Sequence, residues 1–313
     1  MRKLFFLCIG WLPLFAVAQK GQEIGIISDN DLYTSSVNDK YYTNGLELYY
    51  RRLGQDENPE INKRQYEFKI GQYIYNPHTR FAEDIRRIDR PFAGYLFAEA
   101  GRNLFYQNQS VLKTNLQLGY VGPNSFAKEA QEVFHDVFGY KRIYGWDSEI
   151  RNALAVQANV FVSKRIVAGF SGDHVDFHVQ AEANAGTIFD NLSAGLLARF
   201  SLKKLLPVYN SNLYGATANA DKSVYRSESE FYFYLNPGVN YQFYDATIQG
   251  SLFSNSSPVT FDLVPLRFIG EGGFKFRRNN WNLSYVFVYR GKEVDHPVNT
   301  GYFYGSIVIG HML

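Results

Sequence analysis

Cysteine is nearly absent from this chain. The single one, Cys8, falls in an N-terminal stretch that reads as a secretory leader. Arg2 and Lys3 form a basic start, an apolar run extends from Leu4 to Val17, and Ala16-Val17-Ala18 is a small-residue cleavage site. The expected signal peptide is therefore 1–18, with the remaining chain, 19–313, as one unit beginning at Gln19. A membrane-anchoring helix is the other reading of the run, but the run is short and Pro13 interrupts it. Without residues 1–18 no cysteine remains, which excludes a disulfide framework, a Cys-based metal site and a thiol nucleophile.

Other absences narrow the class further. Neither charge sign dominates: 32 Lys and Arg face 30 Asp and Glu, a net charge of +2. A nucleic-acid binder would carry clustered basic excess, so no nucleic-acid partner is expected. Past the leader there is no run of about 18 apolar residues, so a helical membrane protein is excluded. There is no Gly-x-Ser-x-Gly elbow, which makes a His-activated water more economical than a serine nucleophile, and no His-x-Glu-x-x-His spacing to suggest zinc. Internal repeats, low-complexity tracts and a second domain are also missing.

What the chain does have is aromatic residues, 24 Tyr and 26 Phe, with Phe, Trp and Tyr making 17% of the total. That load suits a barrel with aromatic girdles at two membrane interfaces. The sequence period agrees. In 111–121, Leu112, Thr114, Leu116, Leu118 and Tyr120 alternate with Val111, Lys113, Asn115, Gln117 and Gly119. Val175, Phe177, Val179, Ala181 and Ala183 alternate with Asp176, His178, Gln180, Glu182 and Asn184. Trp281, Leu283, Tyr285, Phe287 and Tyr289 form a third such row. This period of two marks strands with one apolar and one polar face. A soluble sandwich would alternate too. The leader, the segment length of about 10 residues and the aromatics favour an outer-membrane barrel.

The expected fold is all-β: a transmembrane antiparallel β-barrel of twelve strands near 23–31, 43–53, 65–75, 93–106, 111–121, 152–165, 174–185, 192–204, 229–243, 261–277, 280–291 and 301–312. The segment 205–228 is polar, long and unassigned. An even strand count puts both termini on the periplasmic side, so the first, third and fifth connections face outward.

Those three connections hold the unusual residues. The first joins Asp29-Asn30-Asp31 to Tyr42-Thr43-Asn44-Gly45, the second contains Asp89-Arg90-Pro91-Phe92-Ala93-Gly94, and the third runs from Gly122-Pro123 to Gly145-Trp146-Asp147. Within the third, Phe126, Ala130, Val133, Phe134 and Val137 recur at helical spacing, and Gln131 and His135 stand four apart on one face. Spacing alone leaves two readings: a catalytic element over the barrel mouth, or a short surface helix with an exposed histidine. On spacing alone Asp31 reads as a turn-forming residue. His178 falls on the polar face of its strand. His78, His174, His296 and His311 lie in loops or at strand ends.

This set of segments resembles the lipid A 3′-O-deacylase family of outer-membrane proteins, over nearly the whole chain and most densely from Asp29 to Asp147. The resemblance implies a twelve-stranded barrel, an active site between the barrel wall and a loop helix, dependence on calcium (Ca2+), and hydrolysis of the 3′-acyloxyacyl ester of lipid A in lipopolysaccharide of the outer leaflet. Carried across, it implies His135 as catalytic base with Gln131 beside it. It puts Asn30, Asp31 and Thr43 in the catalytic set, and Asp31, Thr43 and Gly45 around the metal. Arg90 and Tyr144 would contact substrate, with Tyr140 as the other candidate tyrosine. The expected enzyme is a monomeric carboxylic ester hydrolase. Two departures stand out: Glu149 where glutamine is expected, and a non-aromatic end at His311-Met312-Leu313.

The chemistry can be argued apart from the family. A neutral imidazole can take the proton of an attacking water. A hard cation prefers carboxylate and carbonyl oxygens and can act as Lewis acid toward the developing oxyanion. Asn30 can donate to the same oxygen. Arg80, Arg86, Arg87, Lys141 and Arg142 either pair with lipid phosphates or form a solvated loop surface. A phospholipase-type barrel acting on glycerophospholipids and a non-catalytic pore or structural barrel are the competing functions.

Overall fold

The computed structural model describes residues 21–34, 40–55, 57–78, 82–170 and 173–313. The expected leader and Arg80 lie outside these residues. Twelve antiparallel strands close on themselves: β1 (Gln22–Asn30), β2 (Tyr41–Leu53), β3 (Ile61–Asn76), β4 (Ala93–Tyr106), β5 (Ser110–Val121), β6 (Ala153–Phe170), β7 (Val175–Gly186), β8 (Phe189–Phe200), β9 (Glu230–Asp245), β10 (Leu266–Arg278), β11 (Trp281–Arg290) and β12 (Tyr302–Met312). Each strand pairs with its sequence neighbour, and β1 closes the circle on β12 with Glu23 opposite Met312 and Asn30 opposite Gly305. Closure removes sheet edges, so every ladder group has a partner inside the bilayer.

The alternation read in the sequence becomes the two faces of the wall. Leu116, Leu118 and Tyr120 on β5, and Trp281, Leu283 and Phe287 on β11, point outward and are exposed. In an outer-membrane barrel this row faces lipid. The inward rows are polar and paired. Lys69 sits between Glu47, Glu67 and Glu99 at 3.3, 3.6 and 3.4 Å. Arg51 bonds Glu67, and Arg199 forks onto Asp176 at 2.9 and 2.5 Å. His178 is fully buried in the lumen, 3.2 Å from Asp176.

The segment 205–228 is a plug. It leaves β8 at the end of the barrel that carries the termini, and folds up into the lumen. Ala216 accepts from Lys63 Nζ at 2.5 Å and Asn210 accepts from Arg277 at 2.6 Å through their carbonyls. Arg199 donates to Ser211 Oγ at 3.0 Å, and the Tyr214 hydroxyl meets Ser163 at 2.7 Å and Gln180 at 2.6 Å. The segment looks like a surface loop in sequence because the interior it packs into is itself polar. Arg90 lies toward the opposite mouth and lines a polar cavity of about 600 Å³ inside the barrel.

Strand bounds differ from the expected ones chiefly at β3, which starts earlier, at β6, which runs further, and at β10, which starts later. No helix among the described residues is long and apolar enough to cross a membrane. Among the described residues three α-helices are present: α1 (Ala127–Phe138), α2 (Val224–Ser227) in the plug, and α3 (Ala246–Gln249) at the mouth.

Candidate active site on the outer wall

The site grows from the end of β1. Asn30 lies on the outward row and is buried. Its side-chain oxygen accepts from Leu32 N at 2.7 Å, capping a 3-10 turn over Asp31–Tyr33, and its amide nitrogen donates to Asn44 Oδ1 at 2.5 Å. An Asn here satisfies the first turn and ties β1 to β2 at once. Asp31 follows, also buried, with Oδ2 accepting from Lys40 N at 3.2 Å and its carbonyl accepting from Thr34 Oγ1 at 2.8 Å. The turn reading and the ligand reading of Asp31 are thus compatible: its main chain makes the turn while its carboxylate stays beneath.

Thr43 lies opposite this turn. Asn30 pairs with Asn44, so Asp31 and Thr43 continue the same edge. On its other side β2 carries a bulge: Tyr42 pairs with Tyr75 and Asn44 with Ile74, leaving Thr43 without a ladder partner on β3. Bulges of this kind re-aim side chains and free main-chain groups. Thr43 Oγ1 instead reaches the Ile74 carbonyl at 3.4 Å. Gly45 has a steric reason of its own. A Cβ there would collide with the Tyr42 hydroxyl, which crosses to Asp29 Oδ2 at 2.8 Å inside the lumen.

The second half of the site is α1, docked on the outside of β3 and β4. Gly94 leaves room for it, because a Cβ there would collide with Ser125 Oγ and Ala127 Cβ. Gln72 Nε2 on β3 donates to the Ser125 carbonyl at 2.6 Å. Ala127 and Trp146 join Ile74, Ala82, Ile88 and Phe92 in one apolar cluster, with Phe92 and Trp146 rings 4.9 Å apart. Trp146 Nε1 donates to Gln131 Oε1 at 2.8 Å, so the buried glutamine is a strut between helix and loop.

His135 stands one turn further along. Gly139, with φ of 73°, ends the helix in the left-handed conformation that glycine tolerates. The turn sends Lys141 back over the histidine. His135 Nδ1 lies 2.5 Å from the Lys141 carbonyl oxygen. A carbonyl can only accept, so Nδ1 carries the proton, and in the neutral ring Nε2 is the nitrogen with the lone pair. The Tyr140 ring packs edge-on against the imidazole at 5.8 Å, and Phe134 lies 6.4 Å away. Arg142 forks onto Asp136 at 3.1 and 2.7 Å and braces the same turn. That bond holds the Asp136 carboxyl below its usual range.

The structure therefore brings Asn30, Asp31 and Thr43 together at the rim of β1 and β2, and fixes Gln131 and His135 on α1 over β3 and β4. Ile74 links the halves, since it receives Thr43 and packs on Ala127 and Trp146. Arg90 goes elsewhere. It is buried inside the mouth, stacked 4.3 Å over the Tyr75 ring, donating to Thr247 Oγ1 at 2.9 Å and lying 3.5 Å from Glu293. Tyr144 is exposed, and Tyr140 is the tyrosine beside His135. Arg86 is paired with Asp84 and Arg142 with Asp136, so these two arginines already hold carboxylates.

Three contributors were not read from sequence in the roles they hold. Asn44 and Trp146 lay inside motifs but were given no task there. Lys141 acts through its carbonyl, which no side-chain pattern encodes. A fourth residue, Asn76, ends the outward row of β3 fully buried, with neither amide atom hydrogen-bonded. Glu149 is buried near Glu129 of α1, and burial followed by that neighbour pushes its carboxyl up to about 7.

Among the described residues no group of three or more His, Cys, Asp or Glu converges as a metal cage. The donor set at the rim is of another kind: one buried carboxylate, one hydroxyl and the main-chain oxygens of a turn and a bulge. Such hard oxygens fit a cation like calcium, with coordination positions left for water or ligand.

The family model for the outer membrane protein LpxR matches residues 4–313. LpxR from Salmonella typhimurium superposes with a TM-score of 0.74 at 20% identity, over 92% of this chain and 99% of that one. The β domain of the Bordetella autotransporter BrkA gives a TM-score of 0.47 at 11% identity, over 94% of this chain and 99% of that one. A search of curated proteins finds no match. This chain, an integral β-barrel of the outer membrane, belongs to the LpxR family.

Proposed function

We propose that the protein is a calcium-dependent ester hydrolase that removes the 3′-linked acyloxyacyl chain of lipid A. The observation that carries this reading is the placement of His135. It sits on a helix laid against the lipid-facing wall, with Nδ1 engaged by Lys141 and Nε2 left to act as base, at the same end of the barrel as Asn30, Asp31 and Thr43. With both termini on the periplasmic side, this rim lies at the headgroups of the outer leaflet. Membership of the LpxR family supports the choice of lipid A.

In the proposed reaction, water attacks the ester carbonyl while His135 Nε2 takes its proton. The new carbon–oxygen bond gives a tetrahedral oxyanion. Asn30 has a second amide N–H beyond the one given to Asn44, and it can donate there. Asp31, Thr43 and the main chain near Gly45 would hold calcium, which supplies Lewis-acid stabilisation of the oxyanion when bound. Collapse breaks the bond to the sugar oxygen, and His135 returns its proton to that oxygen. The products are the free acyloxyacyl acid and lipid A with a 3′-hydroxyl group. Gln131 holds the helix against Trp146 and so sets the height of His135.

A pore has less support, because plug and mouth both occupy the lumen. The test is expression in a Gram-negative host with lipid A read by mass spectrometry, with and without chelation of calcium. Wild type should lose the acyloxyacyl mass, and His135→Ala and Asp31→Ala should not. Unchanged lipid A from correctly inserted wild type with calcium present overturns the reading. Release from glycerophospholipids instead moves the substrate to the phospholipase alternative.

A further inference from the structure

We infer that the exposed face of Tyr33 is a platform for the sugar ring that carries the ester, an inference that rests on the hydrolase reading above. It follows from how the outer wall is built at the level of Asn30. There the ladder runs through Gly305, Asn30, Asn44, Ile74 and Gly94, one residue each from β12, β1, β2, β3 and β4. At the usual strand spacing the two glycines are about 19 Å apart. Each is empty for something laid on the outside. The start of α1 lies over Gly94, and Tyr33 lies over Gly305, where an added Cβ would collide with the Tyr33 Cβ. Between the two coverings lie Asn30, Asn44 and the turn that holds Asp31.

The Tyr33 ring runs along the wall rather than away from it. Its Cβ sits over Gly305, and its hydroxyl meets Ser28 Oγ at 2.9 Å, below Asn30 on β1 and toward the hydrocarbon. A tyrosine that anchors a barrel at the interface does the reverse, keeping its ring toward lipid and its hydroxyl toward water. Here the polar end is tied down. Tyr285 on β11 holds the same residue from the side, donating its hydroxyl to the Tyr33 carbonyl at 2.9 Å. The turn fixes the other end, since Leu32 N bonds Asn30 Oδ1 at 2.7 Å and Thr34 N bonds the Asp31 carbonyl at 3.1 Å. Held at three points, Tyr33 is still 40% exposed.

A fixed aromatic face beside Asp31 suits a flat partner with C–H bonds on one side and hydroxyls at its edge, which describes a pyranose ring. The alkoxy oxygen of the ester belongs to the sugar, so a carbonyl held at Asp31 brings the ring next to it. The β3–β4 side of that point is filled by Ile74, Ala127 and Trp146, packed in one cluster, which leaves the β12 side for the ring. A polar edge is available there too. Asn44 accepts from Asn30 through Oδ1 and keeps its own amide N–H donors for ring hydroxyls. Tyr33 thus selects a sugar ester over other esters of the same acyl group.

The test compares lipid A with a glycerol ester that carries the same acyloxyacyl group but no sugar. Both are bound to the full-length His135→Ala protein in detergent micelles, so that nothing turns over. Tyr33→Leu keeps apolar bulk on the wall and removes the ring. The affinity for lipid A relative to the glycerol ester should fall by about tenfold, the loss that goes with truncating an aromatic anchor. Tyr33→Phe keeps the face and should keep most of the ratio. Gly305→Ala pushes Tyr33 off the wall with its side chain intact and should lower the ratio as well. An unchanged ratio in Tyr33→Leu and Gly305→Ala, each shown folded by gel-shift on heating, overturns the inference. So does an equal loss for both ligands, which would make Tyr33 a lipid contact or a prop for the Asp31 turn. With His135 intact, Tyr33→Leu should raise KM for lipid A more than it lowers kcat, and a loss confined to kcat overturns the inference. A wild type that prefers lipid A through Tyr33 yet releases no acyl chain sinks the hydrolase reading and leaves the sugar platform standing.

Discussion

His135 Nδ1 and the carbonyl oxygen of Lys141 are 2.5 Å apart, and that contact decides which imidazole nitrogen is free. The turn that makes it depends on Gly139 at positive φ and on Tyr140 N bonding back to the His135 carbonyl at 2.9 Å. In folded protein labelled with nitrogen-15, the neutral His135 ring should give the chemical-shift pattern of the Nδ1-protonated tautomer. His135→Ala should reduce the rate of acyl release by about 10²–10⁴, the usual range for removal of a general base. The barrel should keep its heat-modifiable gel mobility, because His135 is on an outer loop. An Nε2-protonated ring, or activity retained in His135→Ala, would sink the proposed mechanism.

The strut between Trp146 and Gln131 is separable from its packing. Trp146→Phe keeps an aromatic ring against Phe92 but removes the Nε1 donor. Gln131 then has a buried acceptor without a partner, a cost of about 1–3 kcal/mol. That cost falls on the docking of α1, so proteolysis within the loop should speed up and acyl release should slow. Gln131→Leu removes the acceptor instead of the donor. It leaves the buried indole N–H unpaired and should loosen the docking of α1 to a similar degree. Equal protease protection in wild type and Trp146→Phe would show that the strut bears no load.

Glu149 gives the third outward loop a pH dependence. Burial and Glu129 raise its carboxyl from 4.5 to about 7 in the folded protein. The folded state therefore binds more protons than the unfolded one between these values. Loop stability falls as pH rises through this window and is recovered on acidification toward 4.5. Hydrogen exchange across Ala127–Phe138 should be slower near pH 5 than near pH 8 after correction for intrinsic rates. Glu149→Gln should remove most of that difference and stabilise the loop at pH 8. The same pH difference persisting in Glu149→Gln would place its origin elsewhere.

The fold was legible because lipid reads a sequence simply. Leu116, Leu118 and Tyr120 could face nothing but hydrocarbon in a strand of that period, and all twelve strands follow from rows of this kind. The Gln131/His135 face was visible for the same reason, through helical period. Residues whose role depends on the far side of the chain were harder to read. Arg90 looks like an anion-binding arginine in sequence, but its guanidinium turns inward to Tyr75, Thr247 and Glu293, partners up to 203 positions away from it. The plug was illegible because its polar residues mimic a loop when their polar partners on the wall are not known. Lys141 contributes a backbone atom, and its position follows from the Gly139 turn alone.

Arg199 and Asp176 hold that plug, and their coupling is measurable. Asp176 faces the Arg199 fork, Arg165 at 3.5 Å and His178 at 3.2 Å, and Arg199 passes the connection on to Ser211 and to the Leu206 carbonyl. Arg199→Ala leaves a buried carboxylate short of its main partner, which costs about 3–5 kcal/mol. Part of that loss should return in Arg199→Ala combined with Asp176→Asn, since the uncompensated charge is then gone. The double variant should therefore be more stable than the sum of the two single changes predicts, by roughly 0.5–3 kcal/mol. Refolded barrels in micelles, followed by the temperature at which gel mobility shifts, give the three values needed. Protease added from the terminal side should also cut within 205–228 faster in Arg199→Ala than in wild type, because the freed plug spends more time outside the lumen. Additive losses together with unchanged cleavage would mean that the fork and the plug are energetically independent.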